Sequence, residues 1–338
     1  MDAGAVHVEL RESEGRIAEV RVATRRPALA AMLVGRTAAA VAEILPLIYA
    51  VCAHAQGAAA SAAIAAARGD APAPRADAAV RSEAAGEQAL TALTGEAGEF
   101  APEARRAAHE PRTLRAVFDR GLFGVRIERW LGLSSPDALL HWAETTEAPL
   151  ARECRRRFSL IEPPPHAVAR LPALGAAAGL AHWPLLGADF ARMPQFGGRP
   201  AETGPISRLS ALPLIWSLNS RPLLQRWIAR LVELARHASN NAELSCGRVS
   251  AVTVAPGRGR AAVETARGTL LHEIALEGER VADYVVVAPT EWNFHPDGPL
   301  KQWLLGMPSD SPEETRALAM RAVEALDPCV ECRYTIAQ

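Results

Sequence analysis

The sequence lacks an excess of charge of either sign, because 37 Lys and Arg residues stand beside 38 Asp and Glu residues and the formal net charge is −1. A surface dedicated to nucleic acid needs a basic excess to displace counterions, so we expect no nucleic-acid partner. Cysteine is also scarce, and five residues at irregular spacing do not suggest a secreted disulfide framework. Reduced thiols in the cytoplasm fit this pattern better.

A strongly apolar run is missing as well. The stretch 38–67 is long enough to span a bilayer, but its apolar residues are mostly alanine, and Glu43, Pro46 and His54 interrupt it. Residues 1–15 are acidic and alternating, without the basic segment and apolar core of an export signal. We therefore expect no membrane association. A chain of 338 residues with 49% hydrophobic content is still long enough to bury a substantial core.

Apolar periodicity predicts a mixture of helices and strands. Two segments with period-two alternation, 6–10 and 17–22, flank Glu14-Gly15 and predict a β-hairpin. Short β-like runs between 249 and 289 predict a small antiparallel sheet. The predicted helices are 33–67, several segments within 84–157, 214–239 with a break near Pro222, and 313–325. The sequence thus predicts an α+β fold, predominantly α-helical, with a single domain over residues 1–338 and a flexible connection at 69–83.

Two cysteines near the end of the chain form its most informative motif. Cys329 and Cys332 follow Asp327-Pro328 at a Cys-x-x-Cys spacing, which can bind one soft metal ion. A redox pair or a chance spacing would look the same, although the context is not the βαβ unit of a thioredoxin-like motif. Cys52 could supply a third thiolate, or it could be a buried structural thiol. Tyr49 stands where a second Cys-x-x-Cys motif would need its first cysteine.

Five segments resemble, in the same order, segments of the large subunit of nickel–iron hydrogenases. They are 48–52 (Ile-Tyr-Ala-Val-Cys), 202–208 (Glu-Thr-Gly-Pro-Ile-Ser-Arg), 264–268 (Glu-Thr-Ala-Arg-Gly), 289–293 (Pro-Thr-Glu-Trp-Asn) and 327–332 (Asp-Pro-Cys-Val-Glu-Cys). The corresponding family patterns are Ile-Cys-Gly-x-Cys, Glu-Val-Gly-Pro-Leu-Ala-Arg, Glu-Ala-Pro-Arg-Gly, Pro-Thr-Thr-Trp-Asn and Asp-Pro-Cys-x-x-Cys. One such match is weak evidence, but five in order are strong evidence. The resemblance is patchy along most of the chain and implies a large-subunit-like fold.

The departures from the family pattern concern nickel. In the family, four thiolates hold two metals, and the second cysteine of each pair bridges iron and nickel. The resemblance implies that Cys52 and Cys332 contact iron and that Cys329 corresponds to a nickel ligand, while Tyr49 replaces the fourth thiolate. A phenolate is a hard donor and a poor substitute at a nickel–thiolate centre. The family's Arg-Ile-Glu-Gly-His motif, which serves proton transfer, has no counterpart around 10–17, so we expect no nickel and no hydrogen turnover.

The residues that hold the iron fragment in the family have counterparts here. The resemblance implies that Arg267 donates hydrogen bonds to one cyanide on iron, and that Pro289 and Thr290 serve the other cyanide. A guanidinium suits this role because it is always charged and offers several fixed donors to an anionic ligand. Without the resemblance, an ion-paired or surface arginine would be the simpler explanation of Arg267.

This combination resembles the accessory proteins called HupK or HoxV, which hydrogenase maturation requires. It implies a scaffold, not an enzyme, whose transient cofactor is iron with two cyanides and one carbon monoxide, Fe(CN)2CO. The implied partners are a HypC-type maturation chaperone, cofactor-assembly proteins and the hydrogenase large-subunit precursor. No extension for a maturation protease is expected after Gln338. A metal-free mimic of the large subunit that binds maturation chaperones and a divergent hydrogenase-like enzyme remain alternatives.

Overall fold

The computed structural model describes residues 4–27, 29–165, 168–172, 179–180, 183–240 and 246–337. The helices are α1 (Ala38–Ile48), α2 (Ala53–Ala67), α3 (Ala78–Ala92), α4 (Ala101–Ala107), α5 (Pro111–Asp119), α6 (Ile127–Leu131), α7 (Pro136–Thr145), α8 (Pro149–Phe158), α9 (Ala188–Arg192), α10 (Pro205–Arg208), α11 (Pro213–Ser217), α12 (Pro222–Ala238), α13 (Pro289–Asn293), α14 (Pro299–Leu304) and α15 (Pro312–Leu326). The strands are β1 (Ala5–Ser13), β2 (Arg16–Arg25), β3 (Arg75–Ala76), β4 (Ala169–Arg170), β5 (Gln195–Phe196), β6 (Arg199–Glu202), β7 (Arg248–Ala255), β8 (Arg258–Glu264), β9 (Thr269–Glu277), β10 (Arg280–Val287) and β11 (Glu331–Ala337). Short 3-10 helices occupy Leu29–Leu33, Ala50–Cys52 and Gly95–Phe100.

Within these ranges the strands form three sheets. β1 and β2 form the predicted hairpin, and Glu14 and Gly15 turn the chain with φ angles of 51° and 69°. Positive φ at both central residues is typical of a two-residue hairpin turn. β11 pairs in parallel with β1 and makes this sheet three-stranded. The largest sheet, in the order β10-β9-β8-β7-β3, is antiparallel and confirms the sheet predicted after residue 249.

α2 lies directly on the antiparallel sheet, and this contact explains its alanine content. Ala59, Ala63 and Ala66 are fully buried. A Cβ atom at Gly259 of β8 would lie 2.2 Å from the carbonyl oxygen of Ala63 and 2.3 Å from the amide nitrogen of Ala67. The helix therefore packs against the strand backbone itself. No helix in the described part of the chain is long and apolar enough to cross a membrane.

Two further large cores lie elsewhere in the described part of the chain. Helices α3 to α8 pack with α10, α11 and α12 around a core that contains Trp130 and Trp227. α14 and α15 cover the sheet of β11, β1 and β2 and form the other core. α12 begins at Pro222, which confirms the predicted break, and α15 confirms the predicted last helix. The fold is α+β and predominantly α-helical, as the sequence predicts.

The predicted single helix over 33–67 is wrong. α1 ends at Ile48, and α2 begins at Ala53 after a short 3-10 turn. Pro46 has no amide hydrogen to donate to the helix ladder, and Tyr49 then leaves the helical region with φ −108° and ψ 58°. This break lets the chain between the two helices line an internal cavity.

Cys332 is the second residue of β11, a strand that the sequence analysis does not predict. Side chains along β11 alternate between exposed and partly buried, as expected of a strand at the edge of a sheet. The stretch 69–83 contains β3, which pairs with β7, and the first residues of α3. Its flexibility and the single-domain organisation stay predictions.

Candidate metal centre

Hydrogen bonds interlock three of the five resembling segments. Asn293 at the end of α13 accepts a hydrogen bond from the backbone amide of Thr203 at 2.9 Å, and its side-chain amide donates to the carbonyl of Arg267 at 3.4 Å. The hydroxyl of Thr203 accepts the backbone amide of Thr269 at 2.9 Å. Gly268 has a φ of 136°, and a Cβ atom there would lie 2.3 Å from a side-chain atom of Thr203. These contacts fix the turn that carries Arg267.

A cavity of about 150 Å³ lies between this turn, the break after α1 and the C-terminal cysteine motif. One water molecule takes about 30 Å³ of the liquid, so the cavity has room for a small polyatomic group. The polar or functional lining residues are Arg26, Tyr49, Cys52, Gln56, Glu83, Glu87, Thr265, Arg267, Pro289 and Cys329. The structure therefore brings together Cys52, Cys329, Arg267 and Pro289 from the set predicted by the sequence.

Cys329 is surrounded by polar groups. The guanidinium of Arg26 donates from Nη2 to Cys329 Sγ at 2.7 Å, and the hydroxyl oxygen of Thr290 lies 3.2 Å from the same sulfur. Glu291 Oε1 lies 2.9 Å from Nε of Arg26. Burial alone would lower the pKa of Arg26, but the charges of Cys329 and Glu291 raise it overall. The hydroxyl of Thr290 thus contacts Cys329, and its place beside a cyanide stays a prediction.

Cys52 immediately precedes the first residue of α2. Gln56 Nε2 donates to its sulfur at 3.5 Å. Glu83 of α3 accepts the backbone amides of His54 and Ala55 at 2.7 and 3.1 Å, and so caps the first turn of the helix. Burial raises the pKa of the Cys52 thiol to about 12. The side chain is therefore a neutral thiol, and a metal that binds it must displace the proton.

Two carboxylates hold the side chain of Arg267. Its Nη2 lies 3.2 Å from Glu87 Oε2, and its Nε lies 3.5 Å from Asp327 Oδ1. Burial alone would lower the pKa of Arg267, whereas Asp327, Cys329 and Glu87 raise it. Asp327 ends α15 with a φ of 50°, a left-handed conformation that few residues other than glycine adopt. That bend directs the chain from the helix to Cys329.

The remaining candidates from the sequence lie differently. Tyr49 lines the cavity, and burial raises its pKa to about 12, so it is a neutral phenol and not a phenolate. Cys332 does not line the cavity but packs with Val330 and Tyr334 against the core beneath β1 and β2. Over the ranges described above, no group of three or more His, Cys, Asp or Glu side chains is arranged to hold a metal ion.

Four charged residues of this site were not predicted from the sequence. Arg26, Glu83 and Glu87 lie outside the five segments, and nothing in their spacing distinguishes them from surface charges. Glu291 lies within one of the segments, at a position where the family pattern has threonine. That departure was the available signal, because a carboxylate buried there requires a cation, and Arg26 is that cation.

The fold is that of hydrogenase large subunits. The structure matches the Ni-Fe-Se hydrogenase of Desulfovibrio vulgaris Hildenborough in the reduced state with a TM-score of 0.60 and 15% identity, over 94% of each chain. A reduced, active form of the Ni-Fe-Se hydrogenase of Desulfomicrobium baculatum matches with a TM-score of 0.59 and 14% identity, over 95% of each chain. A profile of the family described as nickel-dependent hydrogenase matches residues 217–334. At these identities the structural likeness shows the fold alone.

Sequence relatives define the family more narrowly. The hydrogenase expression/formation protein HoxV of Cupriavidus necator is 31% identical, over 93% of this chain and 92% of that protein. The hydrogenase expression/formation protein HupK of Bradyrhizobium diazoefficiens is 30% identical, over 93% of this chain and 91% of that protein. The chain therefore belongs to the HoxV/HupK family of hydrogenase expression/formation proteins. These relatives are named as formation proteins and not as hydrogenases.

Proposed function

We propose that this protein is a maturation scaffold that carries the Fe(CN)2CO fragment of the nickel–iron hydrogenase active site to the large-subunit precursor. The observation that carries this proposal is the cavity in which Cys52 and Cys329 meet Arg267. The protein would bind its cargo and release it unchanged, so it would act as a carrier and not as an enzyme. Its partners would be a HypC-type chaperone, the cofactor-assembly proteins and the precursor, all in the cytoplasm.

The lining of the cavity fits an iron atom with anionic diatomic ligands. Thiolates from Cys52 and Cys329 are soft donors of the kind that iron accepts in proteins. The guanidinium of Arg267 offers charged, fixed donors to a cyanide nitrogen. Pro289 adds an apolar wall. The amide of Gln56 can accept from a thiol or donate to a thiolate, so Cys52 keeps a partner in the empty and the loaded state.

The site would take no nickel. Tyr49 occupies the position of a thiolate with a neutral phenol, which is a poor donor to nickel. The site as a whole would then have fewer thiolate anchors than an acceptor with four cysteines, so transfer to that acceptor would be favourable.

Of the two C-terminal cysteines, Cys329 lines the cavity, and we propose it as a ligand of the iron that this structure can hold. The resemblance assigns the iron-contacting role to Cys332, which lies on β11. Separate Cys329→Ser and Cys332→Ser variants test the two assignments. The larger loss of bound iron is expected for Cys329→Ser.

The test is infrared spectroscopy with metal analysis on protein purified without oxygen from cells that express the maturation proteins. We expect cyanide and carbonyl stretches, stoichiometric iron and no nickel. Cys52→Ser should remove the stretches and the iron. Cys154→Ala is the matched control, because Cys154 is fully buried in the helical core away from the cavity and its replacement should leave the signals in place.

Other outcomes would point to the other functions. Absence of diatomic stretches and of metal, together with normal hydrogenase maturation in cells that carry Cys52→Ser, would contradict the carrier and favour the metal-free mimic. Stoichiometric nickel would contradict both and favour a divergent hydrogenase-like enzyme.

A further inference from the structure

Arg26 stands between two adjacent spaces. It lines the cavity of about 150 Å³ and also an adjoining groove of about 1030 Å³. Pro27, Leu29, Tyr49 and Ala288 line both spaces as well, so the groove and the cavity share one wall. Arg26 is therefore part of the wall between the groove and the cavity.

Three parts of the chain fix the position of Arg26. Its own backbone follows β2, Glu291 of α13 faces its Nε at 2.9 Å, and Cys329 accepts from its Nη2 at 2.7 Å. Gly4 packs against the same backbone, since a Cβ atom there would lie 2.4 Å from the carbonyl oxygen of Arg25 and 3.0 Å from Cα of Arg26. The guanidinium is thus held beside the sulfur before any cargo binds.

We infer that Arg26 is a second anion-binding residue of the cavity, which donates a hydrogen bond to a cyanide ligand of the iron fragment while the iron is bound to Cys329. This inference rests on the proposed function and assigns a role to a residue outside the five segments that resemble the hydrogenase large subunit.

The distribution of charge around the cavity supports this role. Arg267 already shares its charge between two carboxylates, Glu87 and Asp327. An anionic iron fragment bound there by thiolates would add further negative charge, and burial makes uncompensated charge costly. Arg26 brings a second cation with a single carboxylate partner described here, Glu291. A guanidinium has five N–H donors in a fixed plane, so it can contact Glu291, Cys329 and a ligand at once.

The test compares Arg26→Lys and Arg26→Met with Arg25→Met, all purified without oxygen from cells that express the maturation proteins. Arg25 is the matched control, because it is adjacent and exposed and lines the groove but not the cavity. The measurements are the cyanide stretching frequencies and the rate at which iron is lost on anaerobic dialysis. Arg26→Lys keeps the charge but loses the planar donor pattern, so it should shift a cyanide stretch.

We expect Arg26→Met to lose iron about ten- to a hundredfold faster than the unchanged protein, as for the loss of one hydrogen bond to a charged group. Arg25→Met should retain both the frequencies and the rate. If Arg26→Met does not fold, the cyanide stretches and the rate of iron loss of Arg26→Lys decide whether the inference holds. Native iron retention and unshifted stretches in Arg26→Lys would overturn this inference alone. Absence of any cyanide stretch from the spectrum of the protein without substitutions would overturn the proposed function and this inference together.

Discussion

Replacement of Glu83 by alanine should loosen the helix that positions Cys52. Both carboxylate oxygens of Glu83 accept backbone amides from the first turn of α2, those of His54 and Ala55. Cys52, which precedes that turn, makes no side-chain capping hydrogen bond. Loss of a side-chain cap costs about 0.5–2 kcal/mol of the free energy of unfolding. Because two amides lose their partner at once, we expect a value in the upper half of that range, about 1–2 kcal/mol.

This free energy converts to a small but measurable shift in thermal midpoint. Unfolding entropy is about 2.1 cal/mol/K per residue, which gives about 0.7 kcal/mol/K for 338 residues. Glu83→Ala should therefore lower Tm by about 1.5–3 °C. The local effect should be larger, because the amides of residues 53–56 lose protection from hydrogen exchange and Cys52 loses its fixed position. The amount of iron bound per protein molecule should fall as well.

Two variants control this prediction. Glu83→Gln keeps one acceptor oxygen on a side chain of the same length. The backbone amides of the first turn of α2 should therefore stay better protected from hydrogen exchange in Glu83→Gln than in Glu83→Ala. Glu43→Ala changes an exposed glutamate of α1 and should alter stability by less than about 0.5 kcal/mol. Unchanged hydrogen exchange at 53–56 in Glu83→Ala would refute the reasoning, whatever the thermal midpoint.

Three further predictions concern the body of the protein. Gly259→Ala should lower the free energy of unfolding in urea by about 1–3 kcal/mol, because the new Cβ atom meets the backbone of Ala63. An unchanged midpoint of urea unfolding would contradict the packing of α2 on β8. Burial lowers the pKa of His272 to about 3, so below about pH 6.5 the unfolded chain binds a proton that the folded chain does not. Between pH 7 and pH 5 this histidine alone should lower the free energy of unfolding by about 2 kcal/mol. The change between these pH values, measured by urea unfolding, should therefore differ by that amount between the protein and its His272→Gln variant, and an identical change in both would contradict the prediction. Glu233→Gln should cost about 2 kcal/mol in the same assay, since it removes one of the two carboxylates that pair with the fully buried guanidinium of Arg208 and leaves Glu264 as the other. A cost under about 0.5 kcal/mol would contradict the pairing of Arg208 with Glu233.

The parts of the fold that were predictable depend on local signals. The alternation of apolar and polar residues over 6–10 and 17–22 predicted the hairpin, and Pro222 predicted the start of α12. The break at 49–52 was not predicted, because alanine-rich sequence favours helix on both sides of it and Pro46, its local signal, lies inside α1 and not at the break. β11 was missed although its partly buried residues, Cys332, Tyr334 and Ile336, alternate with exposed ones.

The candidate site was predictable only where residues belong to a recognisable segment. Cys52, Cys329 and Arg267 do, and the structure places all three at one cavity. Arg26 and Glu83 have no such segment, since an arginine after a strand and a glutamate on an amphipathic helix are common on surfaces. Their roles depend on contacts between elements that are distant in the sequence, and only the folded chain reveals them.

The parallel pairing of β1 with β11 has a consequence for the timing of synthesis. Ala5 pairs with Glu331, so β1 must wait for the synthesis of β11 before its sheet is complete. Contacts of such long sequence separation form late and slowly. Cys329 lies just before that late strand, so the nascent chain has no finished cavity to load. If the protein carries iron, as proposed, loading would therefore follow the synthesis of β11.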